Sequence, residues 1–165
     1  MREFSARGIV LESRLAREAD LMVSIFTKDY GKVVARAASG KKIVSKLGPH
    51  LQPGLEVIAR FVDKKEPRLV DALSLGKLSV PSADLHRLDG LLAVEVADPR
   101  IYEVLCGDFS WVEILSILGW GPENAKCDHC GYGEQLNFSA SRQGYYCFKC
   151  APSVAESSDI SLFAY

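Results

Sequence analysis

At 165 residues the chain has room for one ordinary domain or two small ones. Hydrophobic residues make up 48% of it and charged residues 25%, the balance of a soluble globular protein rather than a membrane or disordered one. The net charge of −1 conceals a division, because residues 1–80 carry a net +6 and residues 81–165 a net −7. The front half can attract phosphate, and the back half repels it except near Arg142 and Lys149.

The first 76 residues read as β structure. Ala6–Ser13 predicts a strand around Ile9, Val10 and Leu11. Leu21–Thr27 predicts a second, with Leu21, Val23 and Ile25 on one face. Asp29-Tyr30-Gly31 is a turn, since glycine reaches positive φ cheaply. Lys32–Ala38, Leu55–Val62 and Arg68–Leu75 give three more strands, the last two joined by the charged turn Asp63–Pro67. Five short strands with turn signals between them fit a small barrel of the oligonucleotide-binding (OB) type. The connection from Ser39 to Gly54 is long and holds Lys41, Lys42, Lys46 and His50; loops of that length usually carry function.

Helical signals follow Pro81. Ser82 can cap a helix whose apolar face runs Leu85, Leu88, Leu91, Leu92 and on to Val94-Glu95. Asp98-Pro99 ends it and opens a second, with Ile101, Tyr102, Val104 and Leu105 before Gly107. Cys106, in that apolar stretch, reads as a buried free cysteine. Ser110-x-x-Glu113 is a capping box ahead of Trp111, Ile114, Leu115 and Leu118, and Gly119-Trp-Gly-Pro122 stops the helix. The expected fold class is therefore α+β. An OB-type barrel at residues 1–78 precedes a small helical domain at 79–165, which carries a zinc ribbon at about 124–152. The tail after Ala151 is expected to pack on the helices.

Two Cys-x-x-Cys pairs, Cys127 with Cys130 and Cys147 with Cys150, make the ribbon. Two knuckles sixteen residues apart (131–146) can present four thiolates tetrahedrally to one ion. Gly131 lets the first knuckle turn. Gln135–Phe138 and Gly144–Cys147 predict a hairpin too small to hold itself together, so a metal would supply folding energy. Spacing alone does not separate zinc from iron, though four thiolates in a small hairpin favour Zn2+ as the cofactor. The competing readings are two disulfides, for which nothing indicates an oxidising compartment, and a redox Cys-x-x-Cys, which needs one pair at a helix start. His129 sits inside a site already filled by four sulfurs and is expected to be exposed. A closed thiolate site is structural, because catalytic zinc keeps a position open.

The stretch Arg7-Gly-Ile-Val-Leu11, with Arg14, Glu18, Asp20, Ser24-Ile-Phe-Thr27 and Gly31-Lys32, resembles the N-terminal domain of the bacterial recombination mediator family RecO. So does Lys41-Lys42-x-x-Ser45-Lys46 followed by Leu51-Gln52-Pro53. Leu118-Gly119-Trp120, Pro122, Cys127-x-x-Cys130-Gly131, Phe138-Ser139, Gly144 and Cys147-x-x-Cys150 resemble that family's zinc region. Compared with the family, the helical part is short: fifteen residues follow Cys150.

The resemblance implies a DNA repair and recombination mediator that is not an enzyme. Such a protein binds single- and double-stranded DNA, anneals strands coated with single-stranded-DNA-binding protein (SSB), and acts with RecR to load RecA. Cytoplasmic, nucleoid-associated placement goes with it, and no membrane partner. It also implies DNA contacts at Arg14 in the first loop, Lys32 at the start of strand three, and Lys41, Lys42 and Lys46 at the barrel rim. Phe26 and Phe61 read as core, and Tyr30 as the aromatic best placed to stack on a base. SSB's acidic tail needs a basic rim, which the acidic back half does not offer, so no residue is assigned to it. No phosphate-binding Gly-x-x-x-x-Gly-Lys loop and no nucleophile–base arrangement stands out. A second function class remains open: an OB-fold and zinc-ribbon module that binds RNA or protein in transcription or translation. A thiolate enzyme is the third.

Overall fold

The structure, a computed structural model, describes residues 2–17, 19–38, 46–63, 65–151 and 159–161. Lys41 and Lys42 of the long connection, and Glu18, lie outside the described residues.

The chain divides into two compact units, residues 1–106 and 107–165. In the first, β1 (Arg2–Arg17), β2 (Asp20–Thr27), β3 (Gly31–Ala37), β4 (Leu55–Asp63) and β5 (Pro67–Lys77) close into a barrel in the order β1-β2-β3-β5-β4. Every predicted strand is present, most within two residues of its expected ends. The first is much longer than Ala6–Ser13 because it serves two neighbours. Arg2–Ile9 pairs with β4 and Gly8–Arg17 with β2, with bulges after Val10 and Leu15 that let it curl. Closure comes from a short parallel contact, Arg36 to Arg68 and Ala37 to Leu69. Alternation puts Val10, Val23, Ile25, Val57, Phe61 and Leu69 inside the barrel. Leu51, from the loop before β4, is buried with them.

The opposite face of β1 and β2 is also dry, since Ile9, Leu11 and Phe26 are fully buried. Helix α1 (Ser82–Leu91) packs on β1 and buries Leu85 and Leu88, and α2 (Pro99–Cys106) buries Ile101, Tyr102 and Leu105. The Tyr102 hydroxyl donates to Glu56 Oε1 at 2.6 Å, and Arg7 Nε donates to the same oxygen at 2.7 Å. The Tyr102 bond ties α2 to the barrel and α1 packs on β1, so both helices belong to the first compact unit, which ends at Cys106. Cys106 itself is exposed, not buried, with its thiol 3.9 Å from Glu56 Oε1.

The first helix stops at Leu91, three residues short of Val94, and starts at Ser82 without a side-chain cap. Sheet hydrogen bonding outweighs helical spacing there. β3 meets β5 only at its far end, which leaves the Lys32 end of its edge unpaired, and Val94-Glu95 covers it. The Glu95 amide donates to the Lys32 carbonyl at 2.9 Å. Gly31, at φ +68°, lies so close beneath this segment that a Cβ would run into the Val96 carbonyl.

In the second unit, α3 (Trp111–Ile117) follows a Ser110 cap that accepts from the Glu113 amide at 3.4 Å. Gly119, at φ +90°, ends it, and the Trp120 amide returns to the Leu115 carbonyl at 2.7 Å. Then come β6 (Leu136–Ser139) and β7 (Gly144–Cys147), paired antiparallel. Of the tail expected on the helices, only residues 159–161 are described, and they lie on the hairpin. Its β8 (Asp159–Ser161) adds to the free edge of β6 and buries Ile160, which gives the hairpin a third strand and more core.

Candidate metal centre and nucleic-acid interface

Cys127, Cys130, Cys147 and Cys150 converge with all four sulfurs within 4.8 Å of one another. Four thiolates about 2.3 Å from one tetrahedral ion would stand about 3.8 Å apart. The Cys130 and Cys147 sulfurs, from different knuckles, are 3.7 Å apart, so the donor set fits such an ion. None of the four is bridged to another. His129 is exposed and takes no part in the cluster.

The backbone builds the pocket. Gly131, at φ +75°, donates its amide to the Cys127 carbonyl at 2.8 Å, and the Cys127 amide donates to the Tyr132 carbonyl at 2.7 Å. The Cys150 amide closes the second knuckle on the Cys147 carbonyl at 3.0 Å. Burial opposes ionisation of Cys127, but bonds from the backbone at Cys147, Cys130 and His129 outweigh it and lower the thiol's pKa. Cys147 is lowered too: burial again opposes ionisation, and backbone bonds from Cys150 and Lys149 prevail. Burial and the neighbouring thiols raise Cys150. Cys130 is raised as well, since the lowering bond from the Tyr132 backbone is outweighed by those from neighbouring thiols, so two of the four thiols ionise more readily and two less.

Beneath the site, Phe138 is fully buried, with Trp120 at 5.3 Å and Tyr145 at 5.2 Å between ring centroids. The Tyr145 hydroxyl donates to the Trp120 carbonyl. Gly144 has no Cβ where the Asp128 carboxylate lies.

On the barrel, the predicted basic residues separate. Arg14 is exposed but sits on β1 opposite Met22, because β1 runs on past the expected loop. It lines a groove of about 370 Å³ with Leu15, Ala16, Met22, Arg36 and Glu66. That groove lies between the β1–β2 hairpin and the β4–β5 turn, where OB folds hold oligonucleotides. Arg36, on β3, pairs with Asp20 at 2.9 Å. Its register partner across the barrel closure is Arg68, exposed on β5. Among the described residues neither Arg14 nor Arg68 is in an ion pair.

Arg68 escaped sequence reasoning because only the parallel β3–β5 register brings it beside Arg36. Lys46 is exposed in the loop before β4 but does not line the groove. Lys32 is a correction: it is 9% exposed, and its ammonium donates to the Asp89 carbonyl at 2.6 Å, so its charge is turned inward. Tyr30 is half-buried against Phe4, 4.7 Å between centroids, at a cavity whose lining includes Asp29, Asp63 and Glu95. Three carboxylates there repel phosphate, which removes Tyr30 as the stacking residue. Phe26 and Phe61 are fully buried, as core residues should be. Among the described residues no helix is long and apolar enough to cross a membrane.

The family model described as "Recombination protein O N terminal" matches residues 1–77, the whole of the five-stranded barrel. The barrel is thus a RecO N-terminal domain, which supports a RecO-family protein and a role in DNA recombination and repair in general.

Proposed function

We propose that this chain is a recombination mediator that works by binding rather than by bond-making chemistry. Its barrel holds the backbone of single- and double-stranded DNA through Arg14 in the groove, Arg68 on the neighbouring strand β5, and the cationic loop with Lys41, Lys42 and Lys46. Phosphates neutralised there release counterions. A cationic surface that engages two strands at once lowers their repulsion, which is the physical basis of annealing. RecR is the partner with which it assists RecA loading in the cytoplasm, at the nucleoid. The Cys127, Cys130, Cys147 and Cys150 set holds Zn2+, which supplies folding energy to the second unit and leaves no position open for chemistry.

The observation that carries this reading is the conjunction of the RecO N-terminal match with an OB groove lined by arginine. Fluorescence anisotropy of a labelled single strand across a salt series tests it. Affinity should fall steeply with salt, and the slope should flatten in a Lys41/Lys42/Lys46→Ala variant. No binding at low salt would leave a protein-docking module in its place.

A further inference from the structure

The zinc ribbon carries two large aromatic side chains that its core leaves exposed, although the Tyr132 hydroxyl donates to Glu134 Oε2 at 3.1 Å. Tyr132, just past the first knuckle, is 46% exposed, and Phe148, inside the second, is 54% exposed. The hairpin's other large aromatics differ, since Phe138 and Tyr145 are buried and build the ribbon's core. Each exposed ring is held close to a ligand cysteine, Tyr132 two residues after Cys130 and Phe148 one residue after Cys147. The sulfurs of those two cysteines are 3.7 Å apart. The metal site therefore fixes both ring-bearing turns against each other on a rigid base. Rigid presentation lowers the ordering cost of any ligand that stacks on them.

The charge around them is not that of the rest of the unit. Residues 107–165 contain three Lys/Arg against seven Asp/Glu, yet all three cations, Lys126, Arg142 and Lys149, fall in the ribbon and are exposed. Lys149 Nζ lies 5.8 Å from the centre of the Phe148 ring. Exposed aromatic faces flanked by cations are how proteins hold unpaired bases, because every base offers a π-face and its phosphate a charge. A protein partner would be expected to meet a broader apolar patch than two rings set among charges.

We infer that the ribbon is a second contact for single-stranded DNA, with Tyr132 and Phe148 stacking on bases and Lys149 steering the adjoining phosphate. This rests on the single-strand binding proposed for the chain as a whole but lies on a different unit from the barrel groove. Four thiolates on one dication leave net negative charge nearby, so stacking, not phosphate neutralisation, is the main contribution. Two signatures follow. Loss of the rings weakens single-strand binding without changing its salt slope, and duplex binding is untouched, because paired bases cannot stack on a side chain.

The test uses the full-length zinc-loaded protein and an oligo(dT) carrying 5-iodouracil, irradiated and mapped by mass spectrometry. Anisotropy on single-stranded and duplex DNA is run beside it for wild type and Tyr132→Ala/Phe148→Ala. Crosslinks at Tyr132 or Phe148, with single-strand affinity down on the order of tenfold per ring at unchanged slope, are the expected result. Zinc content should be unaltered, since neither side chain is a ligand. Binding with crosslinks only in residues 1–106 would overturn the inference and leave the barrel reading intact. No binding of the oligonucleotide at all would overturn both. Should the double variant fail to hold zinc, the wild-type crosslink map decides alone.

Discussion

Lys32 Nζ lies 2.6 Å from the Asp89 carbonyl oxygen and 3.8 Å from its carboxylate, while Ser24 Oγ donates to that same carboxylate. A cation from β3 thus closes the C-terminal end of α1, where the helix leaves its carbonyls unpaired and its dipole is negative. The lysine's backbone takes part as well, since its carbonyl accepts from Glu95 and holds the segment after α1 on the barrel edge. One residue therefore fastens both ends of the connection between the helix and the barrel.

Lys32→Met should then be a stability variant. It strands a largely buried carboxylate and loses a charged hydrogen bond, at a cost of about 2 kcal/mol. Urea midpoints measure that loss. DNA affinity, measured well below the unfolding transition, should match wild type. A weakened affinity with an unchanged midpoint would instead return Lys32 to the DNA surface.

For Arg14 in the groove and Arg68 on the strand beside it the pattern reverses. Arg14 and Arg68 are exposed and outside any ion pair among the described residues, so their truncation costs little stability. Each phosphate contact removed should reduce the slope of log K against log salt by about 0.7 on single strands. Arg36→Ala should do less, because Asp20 already satisfies it. Equal slopes for wild type and Arg14→Ala/Arg68→Ala would place the DNA elsewhere on the barrel.

These contrasts mark what the sequence can and cannot express. The five strands were legible because alternation and turn residues are local, and the four cysteines because knuckle spacing is chemistry written in order. Burial of Lys32 was not, since its partner Asp89 is 57 residues away. Helical spacing carried the eye through Val94, yet an unpaired strand edge claimed it. The place of residues 159–161 on β6 depended likewise on a free edge that no local pattern announces. Arg68 became part of a site only through a two-residue parallel register.

Glu56 gives the first unit a pH dependence. The Arg7 hydrogen bond, with help from Tyr102 and against the effect of burial, holds its carboxyl below the usual carboxylate range. A folded-state pKa below the unfolded value means the stabilisation is fully present above the unfolded pKa. It is lost as pH falls through the folded one. Glu56→Gln should therefore be less stable than wild type at pH 7, and the gap should narrow in acid below the ordinary Glu value. Denaturant midpoints at neutral and acid pH check it, and a gap that widens in acid would refute it. The same protonation would release Tyr102, so hydrogen exchange in α2 should rise over the same acid range in wild type only.

Removal of the metal should split the molecule energetically. The second unit is small, and its core is little more than Phe138, Trp120, Tyr145 and Ile160 with two turns of α3. Binding energy for a structural zinc, on the order of 10 kcal/mol in small domains, is a large share of what holds such a unit. Cys147→Ser removes a buried ligand whose sulfur faces Cys130 across the knuckles. Chelation or that substitution should expose residues 107–165 to rapid hydrogen exchange while β1–β5 stay protected, because the barrel has its own core and no share in the site. Cys106→Ser, outside the cluster, is the control and should keep both metal and protection. If chelation left the Phe138 and Tyr145 amides protected, the aromatic cluster and β8 would be holding the ribbon, and the cysteines would be needed for something other than its fold.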